Sequence, residues 1–243
     1  MYIKFIVIFL LGALSLPALA EPQVFTSGPN RVGTVELYTS QGCSSCPPAE
    51  RYLNQLRQNP RVWKDFIPMA FHVDYWNYLG WRDRFSKAEY SQRQRQYART
   101  RRMNTVYTPG FFVDGREWRR GFSNGLPRFN SQKSGELTIS VENQSVSGSY
   151  KTVSPLTELK LNTVVLGMGL MTDIKAGERE GHVTEHEFVV LGYQQQALKN
   201  SGFTAPIPKP VVAAKQYAVA VWISRGGDPT PIQAVGGMLK PSE

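Results

Sequence analysis

The chain has 243 residues and carries 28 Lys and Arg against 19 Asp and Glu, so its formal net charge is +9. Hydrophobic residues make up 41% and aromatic residues 12% of the sequence, a composition typical of a globular protein of one or two domains. These values exclude an acidic disordered chain and a collagen-like chain. Because Cys43 and Cys46 are the only cysteines, a disulfide-rich scaffold and an all-cysteine zinc site are excluded as well.

The first twenty residues have the three parts of a secretory signal. A positive start that includes Lys4 precedes an apolar run from Phe5 to Leu16, and Pro17–Ala20 supplies the small residues of a cleavage site. The apolar run is shorter than the roughly twenty residues of a membrane-spanning helix, which disfavours the alternative of a retained anchor. We therefore predict cleavage after Ala20 and a periplasmic or secreted protein with no membrane span.

Residues 34–128 alternate between strand and helix patterns. Apolar and β-branched runs predict strands, and stretches without Gly or Pro that have a helical spacing of apolar residues, or a strongly polar and basic composition, predict helices. The order of strand, helix, strand, helix and strand indicates an α/β domain. The predicted elements are a strand at Thr34–Thr39, a helix after Cys46, a buried strand at Phe66–Trp76, a helix at Ser86–Met103 and a strand at Thr108–Gly115.

After the polar segment 130–135 the pattern changes to strands separated by Gly, Pro, Asn and Asp. We predict no helix in this half, and short strands with such turns favour an antiparallel β-sandwich. The predicted division is a signal peptide at 1–20, an α/β domain at 21–129, a linker at 130–135 and a sandwich-like all-β domain at 136–243. The predicted strands are Leu137–Val141, Ser145–Tyr150, Glu158–Gly167, Val183–Tyr193 and Gln216–Ser224.

Cys43 and Cys46 lie between the first predicted strand and the first predicted helix. The free amides and the positive dipole end of a helix stabilise a thiolate there. We predict that Cys43, on the loop side, is the exposed attacking thiol and that Cys46 resolves a mixed disulfide. The alternative is an inert or structural pair, but a bridge across so short a loop removes little entropy from the unfolded chain. Thiol–disulfide exchange is therefore the favoured interpretation.

Two segments resemble the thioredoxins and glutaredoxins. Leu37–Cys46 resembles their strand and active-site turn, and Thr108–Gly115 resembles their later strand, which begins with a cis-proline. Residues 34–128 resemble more specifically a bacterial secreted, thioredoxin-like family, the domain of unknown function 1223, through the segments ELYTSQGCSSCPPAE, AFHVDYWNYLGW and YTPGFFVDG. The resemblance implies a fold class of an α/β thioredoxin-like N-terminal domain followed by an all-β, sandwich-like C-terminal domain. The activity of that family is not established.

The resemblance also implies roles for single residues. Cys43 matches the nucleophile and Cys46 the resolving cysteine. Pro109 matches the cis-proline, and the alternative is an ordinary trans proline at the start of a strand. Thr108 then matches the residue whose backbone pairs with a bound partner. Glu36 lies one position away from the buried carboxylate of thioredoxins, so it either takes a proton from Cys46 or is an ordinary surface or hydrogen-bonded residue.

Tyr75 and Trp76 come at the end of the second predicted strand. If that strand is parallel to the first, both side chains lie at the same sheet edge as the cysteines, where sites of α/β proteins form. We expect them either to line a substrate groove or to plug the edge of the sheet.

No cofactor and no metal site are predicted from the three histidines. His72 is expected in the core, and a strand would place His182 and His186 about 13 Å apart, too far to share one ion. We expect these two to be satisfied histidines at the surface or at an interface. Copper held by the thiolates of Cys43 and Cys46 is the alternative chemistry.

The positive charge is concentrated in residues 82–128, which carry twelve Lys and Arg against four Asp and Glu. Such a face either meets an anionic partner or is simply solvated, and no motif points to nucleic acid. The predicted function is an exported thiol–disulfide oxidoreductase that acts on an exported protein or on a small thiol or disulfide, with the β-rich half as a docking domain. The alternative is a non-catalytic thioredoxin-like binding protein or a copper chaperone that uses the same cysteines.

Overall fold

A computed structural model describes residues 21–119, 125–155 and 157–241, and the predicted signal peptide at 1–20 lies outside these ranges. The described chain is mostly β, with two α-helices, α1 (Pro47–Gln55) and α2 (Ala88–Thr100), and short 3-10 helices at Leu56–Gln58 and Gly177–Arg179. Its strands are β1 (Gln23–Thr26), β2 (Gly33–Thr39), β3 (Phe66–His72), β4 (Gly110–Val113), β5 (Arg116–Glu117), β6 (Glu136–Glu142), β7 (Ser145–Lys151), β8 (Leu159–Met168), β9 (Leu170–Asp173), β10 (Val183–His186), β11 (Val189–Ala197), β12 (Gly202–Pro206), β13 (Gln216–Arg225) and β14 (Asp228–Met238).

The largest element is an eight-stranded mixed sheet in the order β14-β13-β8-β11-β3-β2-β4-β5. β2 and β3 are parallel, and β11 joins β3 in parallel at the pair Val189–Ala70. Strands from both sides of residues 130–135 therefore form one sheet. The predicted fold class, an α/β thioredoxin-like domain followed by an all-β domain, is wrong for this mostly β protein.

The reason for the shared sheet lies in the burial of β3. All seven of its residues are buried, so an open edge along this strand would expose apolar side chains and unpaired backbone groups. β11 covers that edge. Ile67 and Phe71 of β3 then share one core with Val164 of β8 and Val190 of β11.

Two smaller sheets complete the β structure. The sheet β1-β6-β7-β12 packs on the large sheet, where Leu137 and Ile139 of β6 meet Val219 and Val221 of β13. The hairpin of β9 and β10 forms the other small sheet. This hairpin carries the 3-10 helix Gly177–Arg179 in the segment that joins its two strands.

The two helices cover opposite faces of the large sheet. Leu53 of α1 packs on the face that includes Leu37, whereas Tyr97 of α2 packs on the face that includes Tyr38. Adjacent residues of β2 point to opposite faces, which explains this separation. Neither helix, nor any other helix in the described ranges, is long and apolar enough to cross a bilayer.

The polar segment 130–135 is hydrogen-bonded to residues 29–31, which lie between β1 and β2. Lys133 forms an isolated bridge with Asn30, and the backbone N–H of Ser134 donates to the Pro29 carbonyl at 3.0 Å. The Tyr150 hydroxyl donates to the Ser134 carbonyl at 2.6 Å. These contacts hold the start of β6 against the residues that precede β2.

Candidate functional site

Cys43 and Cys46 are joined by a disulfide in the turn between β2 and α1. Cys46 directly precedes Pro47, the first residue of α1, and its carbonyl accepts the backbone N–H groups of Ala49 and Glu50 at 3.0 and 3.1 Å. The exposed fraction is 1% for Cys43 and 0% for Cys46. The pair thus lies at the helix start, as predicted, but the exposed position predicted for Cys43 is wrong.

Thr108 and Pro109 lie at the entrance of β4, and the peptide bond between them is cis. Trp76, four residues beyond the end of β3, connects this turn with the cysteine turn. Its Nε1 donates to Thr108 Oγ1 at 2.7 Å. Its Cβ lies 3.3 Å from the position that a Cβ on Gly42 would occupy. The parallel pairing of β2 and β3 therefore brings Trp76 to the edge of the sheet that carries the cysteines.

Tyr75 lies beside Trp76 and is also partly buried. Its hydroxyl donates to Gln94 Oε1 at 3.0 Å, and burial raises the pKa of Tyr75 to about 12. Because both side chains are held by hydrogen bonds to neighbouring elements, their arrangement favours a plug at the sheet edge over an open groove at this point.

Replacing Trp76 by Phe is expected to speed the reduction of the Cys43–Cys46 disulfide by dithiothreitol about fivefold. The variant lacks the hydrogen bond to Thr108. One such bond contributes about 1 kcal/mol, which corresponds to a change of about fivefold in the rate. Thr108→Val removes the acceptor of this hydrogen bond and should also speed the reduction. The control Trp63→Phe makes the same exchange at another partly buried tryptophan and should leave the rate of reduction unchanged. Alkylation of free thiols at intervals, followed by mass measurement, gives the rates. Equal rates in all three variants would show that Trp76 does not shield the disulfide.

A buried polar network holds the backbone of the cysteine turn. The Asp83 carboxylate accepts the backbone N–H groups of Gln41 at 2.8 Å and Phe85 at 2.9 Å, and it lies 2.7 Å from His72 Nδ1. Burial alone would raise the pKa of Asp83, but His72 and the two N–H groups bring it below its ordinary value. A charged Asp83 therefore fixes the turn two residues before Cys43.

His186 extends this network from the β9–β10 hairpin. Its ring centroid lies 5.2 Å from that of His72, and its Nε2 lies 2.9 Å from Thr184 Oγ1. His72 is buried, as predicted, whereas the prediction of a surface or interface position is wrong for His186, which is 2% exposed. Among the described residues, no group of three or more His, Cys, Asp or Glu side chains is arranged to hold a metal ion.

Glu50 and Arg179 form a buried ion pair beneath the cysteine turn that sequence reasoning missed. Arg179 Nη2 donates to Glu50 Oε2 at 3.1 Å, and Arg179 Nη1 lies 3.4 Å from the Ser40 carbonyl oxygen. Glu50 Oε1 also accepts the Thr39 hydroxyl at 2.8 Å. Glu50 is one helical turn after Cys46, so its spacing could have indicated this position, but no local pattern indicates Arg179.

Glu36 forms its hydrogen bonds on the face of β2 opposite to that of Thr39. Its carboxylate accepts Arg93 Nε and Nη2 at 3.0 and 2.9 Å, together with the hydroxyls of Tyr38 and Tyr97 at 3.0 and 2.7 Å. Both oxygens are thus occupied by groups from β2 and α2. Of its two predicted roles, this arrangement favours the hydrogen-bonded residue over the proton acceptor for Cys46.

Comparison with known proteins finds solved structures of similar fold, among them the following two. The crystal structure of protein AGR_C_4864 from Agrobacterium tumefaciens is 26% identical with a TM-score of 0.61, covering 88% of this chain and 96% of that chain. HBP35 of Porphyromonas gingivalis is 14% identical with a TM-score of 0.56, covering 86% and 76%, and this likeness concerns the fold alone. No curated protein matches. A family profile described as a protein of unknown function (DUF1223) matches residues 34–224.

Proposed function

We infer that this chain, which belongs to the DUF1223 family of proteins of unknown function, is an exported protein that exchanges disulfides through Cys43 and Cys46. A family without an assigned activity supplies no chemistry, so the proposal depends on the chain's own residues. The position of the cysteine pair carries it. The pair lies at the start of α1, in a turn whose backbone is fixed by Asp83 and whose outer side is linked through Trp76 to Thr108.

The exchange is a two-electron transfer between dithiol and disulfide. Because Cys43 is buried, the exchange requires the cysteine turn to open. A substrate thiolate then attacks Cys43 Sγ, the Cys43–Cys46 bond breaks, and Cys46 leaves as a thiolate that takes up a proton. A second substrate thiolate then attacks the substrate sulfur of the mixed disulfide and releases Cys43. The substrate dithiol has become a disulfide, and both cysteines are reduced. The same steps run in reverse when reduced Cys43 meets a substrate disulfide, and the relative reduction potentials decide the direction.

One observation favours a second candidate function. Because both cysteines are almost fully buried, the pair would also suit a permanent bridge in a binding protein. A bridge of this kind is not reduced by the thiols that the protein encounters.

The reduction potential of the cysteine pair distinguishes the two functions. We expect a value between about −120 and −270 mV, the range of exchange catalysts. The mature protein is equilibrated in glutathione redox buffers, quenched with an alkylating reagent and weighed, so that the reduced fraction is read from the added mass. A variant with both Cys43→Ser and Cys46→Ser supplies the unlabelled mass. A potential below roughly −300 mV would overturn the exchange function and support the permanent bridge.

A further inference from the structure

A groove at the C-terminal half of α2 is lined by both basic and apolar side chains. It lies between the C-terminal half of α2 and the segment that leads to Thr108, and its volume is about 370 Å³. We call it the basic groove, and the side chains that define it are Arg95, Arg99, Met103, Thr105 and Val106. Arg95 and Arg99 are exposed and one helical turn apart, so both guanidinium groups stand on the same side of α2.

The arginines of the basic groove have no acidic partner in the described ranges of the chain. Other cations of this region are paired: Lys87 with Glu89, and Arg101 with Asp228. Neither Arg95 nor Arg99 forms an ion pair with a described carboxylate. Arg102, three residues after Arg99, is also exposed and forms no ion pair with a described carboxylate. The local excess of positive charge is therefore available to a partner. Guanidinium groups bind carboxylates through two parallel hydrogen bonds.

A series of contacts connects the basic groove with Thr108 and Trp76. Arg95 lies 6.0 Å from the centre of the Tyr75 ring, and the Tyr75 hydroxyl donates to Gln94. The Gln94 side chain in turn donates to the Tyr107 carbonyl at 2.7 Å. Tyr107 joins Val106 of the groove to Thr108, the residue that holds Trp76. The basic groove and Trp76, which packs beside Gly42 of the cysteine turn, therefore belong to one network of contacts.

We propose that the basic groove binds an acidic, extended segment of the protein whose thiol or disulfide exchanges with the cysteine pair. Carboxylates of the segment pair with Arg95 and Arg99, and an apolar side chain packs on Met103 and Val106. The statement that this segment belongs to a redox substrate rests on the proposed function. The binding of an acidic segment does not.

The first test measures binding without redox chemistry. Two fluorescent peptides that lack cysteine are compared by anisotropy at low salt, one rich in Glu and one rich in Lys. The acidic peptide is expected to bind at least about tenfold more tightly, and this preference should weaken as salt screens the charges. The double variant Arg95→Glu/Arg99→Glu should lose the preference. The matched control Lys199→Glu/Lys209→Glu makes the same change of net charge at exposed positions elsewhere and should keep it.

The second test measures exchange with the same two peptides, each now carrying one central cysteine as a mixed disulfide with glutathione. The acidic peptide should react about tenfold faster with the reduced protein, and the arginine double variant should reverse the order. If the protein exchanges with oxidised glutathione but treats both peptides equally, the groove inference is overturned and the proposed function stands. If the acidic peptide binds but no thiol exchanges, the proposed function fails alone. Binding to anionic lipid vesicles without any peptide preference would instead assign the arginines to a membrane surface.

Discussion

Replacing Glu36 by Ala is expected to lower the free energy of unfolding by about 3–5 kcal/mol. The loss follows from the burial of its partner: the side chain of Arg93 is 2% exposed and that of Glu36 is 0% exposed. Without the carboxylate, a guanidinium group remains charged inside the core, between α2 and the large sheet. Burial and then the charge of Glu36 raise the pKa values of Tyr38 and Tyr97 well above their ordinary range, so these hydroxyls stay neutral donors. Urea unfolding gives the free energies.

Two further variants separate the buried charge from simple loss of contacts. The paired replacement Glu36→Met/Arg93→Met should destabilise less than Glu36→Ala, because it removes both charges and keeps apolar volume. It still removes the acceptor of the Tyr38 hydroxyl, a loss that it shares with Glu36→Ala. Asp65→Ala breaks the half-exposed pair of Asp65 with Arg61 and should cost at most about 1 kcal/mol. If Glu36→Ala proves no more destabilising than Asp65→Ala, the charge pair contributes little to this fold.

The stability of the wild type is expected to fall by about 3 kcal/mol through His186 alone as the pH drops from 6.5 to 4. Burial lowers the pKa of His186 from 6.5 to about 4. Between these values the unfolded chain binds a proton at this position and the folded chain does not, so acid favours unfolding in this window. Above pH 6.5 both states are neutral at this residue, and its effect on the pH dependence vanishes.

A pair of histidine variants isolates this contribution from that of the carboxylates. His186→Gln keeps a polar group beside Thr184 but cannot titrate, so its stability should decline much less than that of the wild type over the same window. His182→Gln replaces an exposed histidine four positions earlier and should retain the wild-type slope. Denaturant unfolding at a series of pH values measures all three slopes. Parallel slopes for the wild type and His186→Gln would contradict the assignment.

The sequence patterns located individual elements but not their assembly. The strand predicted at Thr34–Thr39 is β2, and the basic helix predicted at Ser86–Met103 contains α2. The patterns could not identify β11 as the second neighbour of β3, because a buried strand carries no complementary sequence that marks its neighbour. The composition of residues 130–135 is equally typical of a linker and of the hydrogen-bonded segment found there. The predicted fold class is wrong because it depends on which distant strands pair in the sheet, and local patterns do not show this pairing.

In the candidate site, too, the residues close to the motif in sequence could be predicted, whereas those from distant segments could not. The parallel arrangement of β2 and β3 follows from local patterns, and it places Trp76 beside Gly42 of the cysteine turn and within hydrogen-bond distance of Thr108. Arg179 and His186 come from a hairpin more than a hundred positions away, and their roles depend on how that hairpin packs. A buried arginine or histidine has no distinctive neighbours in the sequence, so only the folded chain identifies it.

The hairpin has a consequence for how the chain matures. Its Thr172 accepts a hydrogen bond from the Gln41 side chain, although the two residues are 131 positions apart. The cysteine turn therefore acquires its native surroundings only after the hairpin has been synthesised. Until then both thiols belong to an incompletely folded segment and react as ordinary cysteines. The order of synthesis thus separates bond formation between Cys43 and Cys46 in the nascent chain from any later reaction of the folded protein.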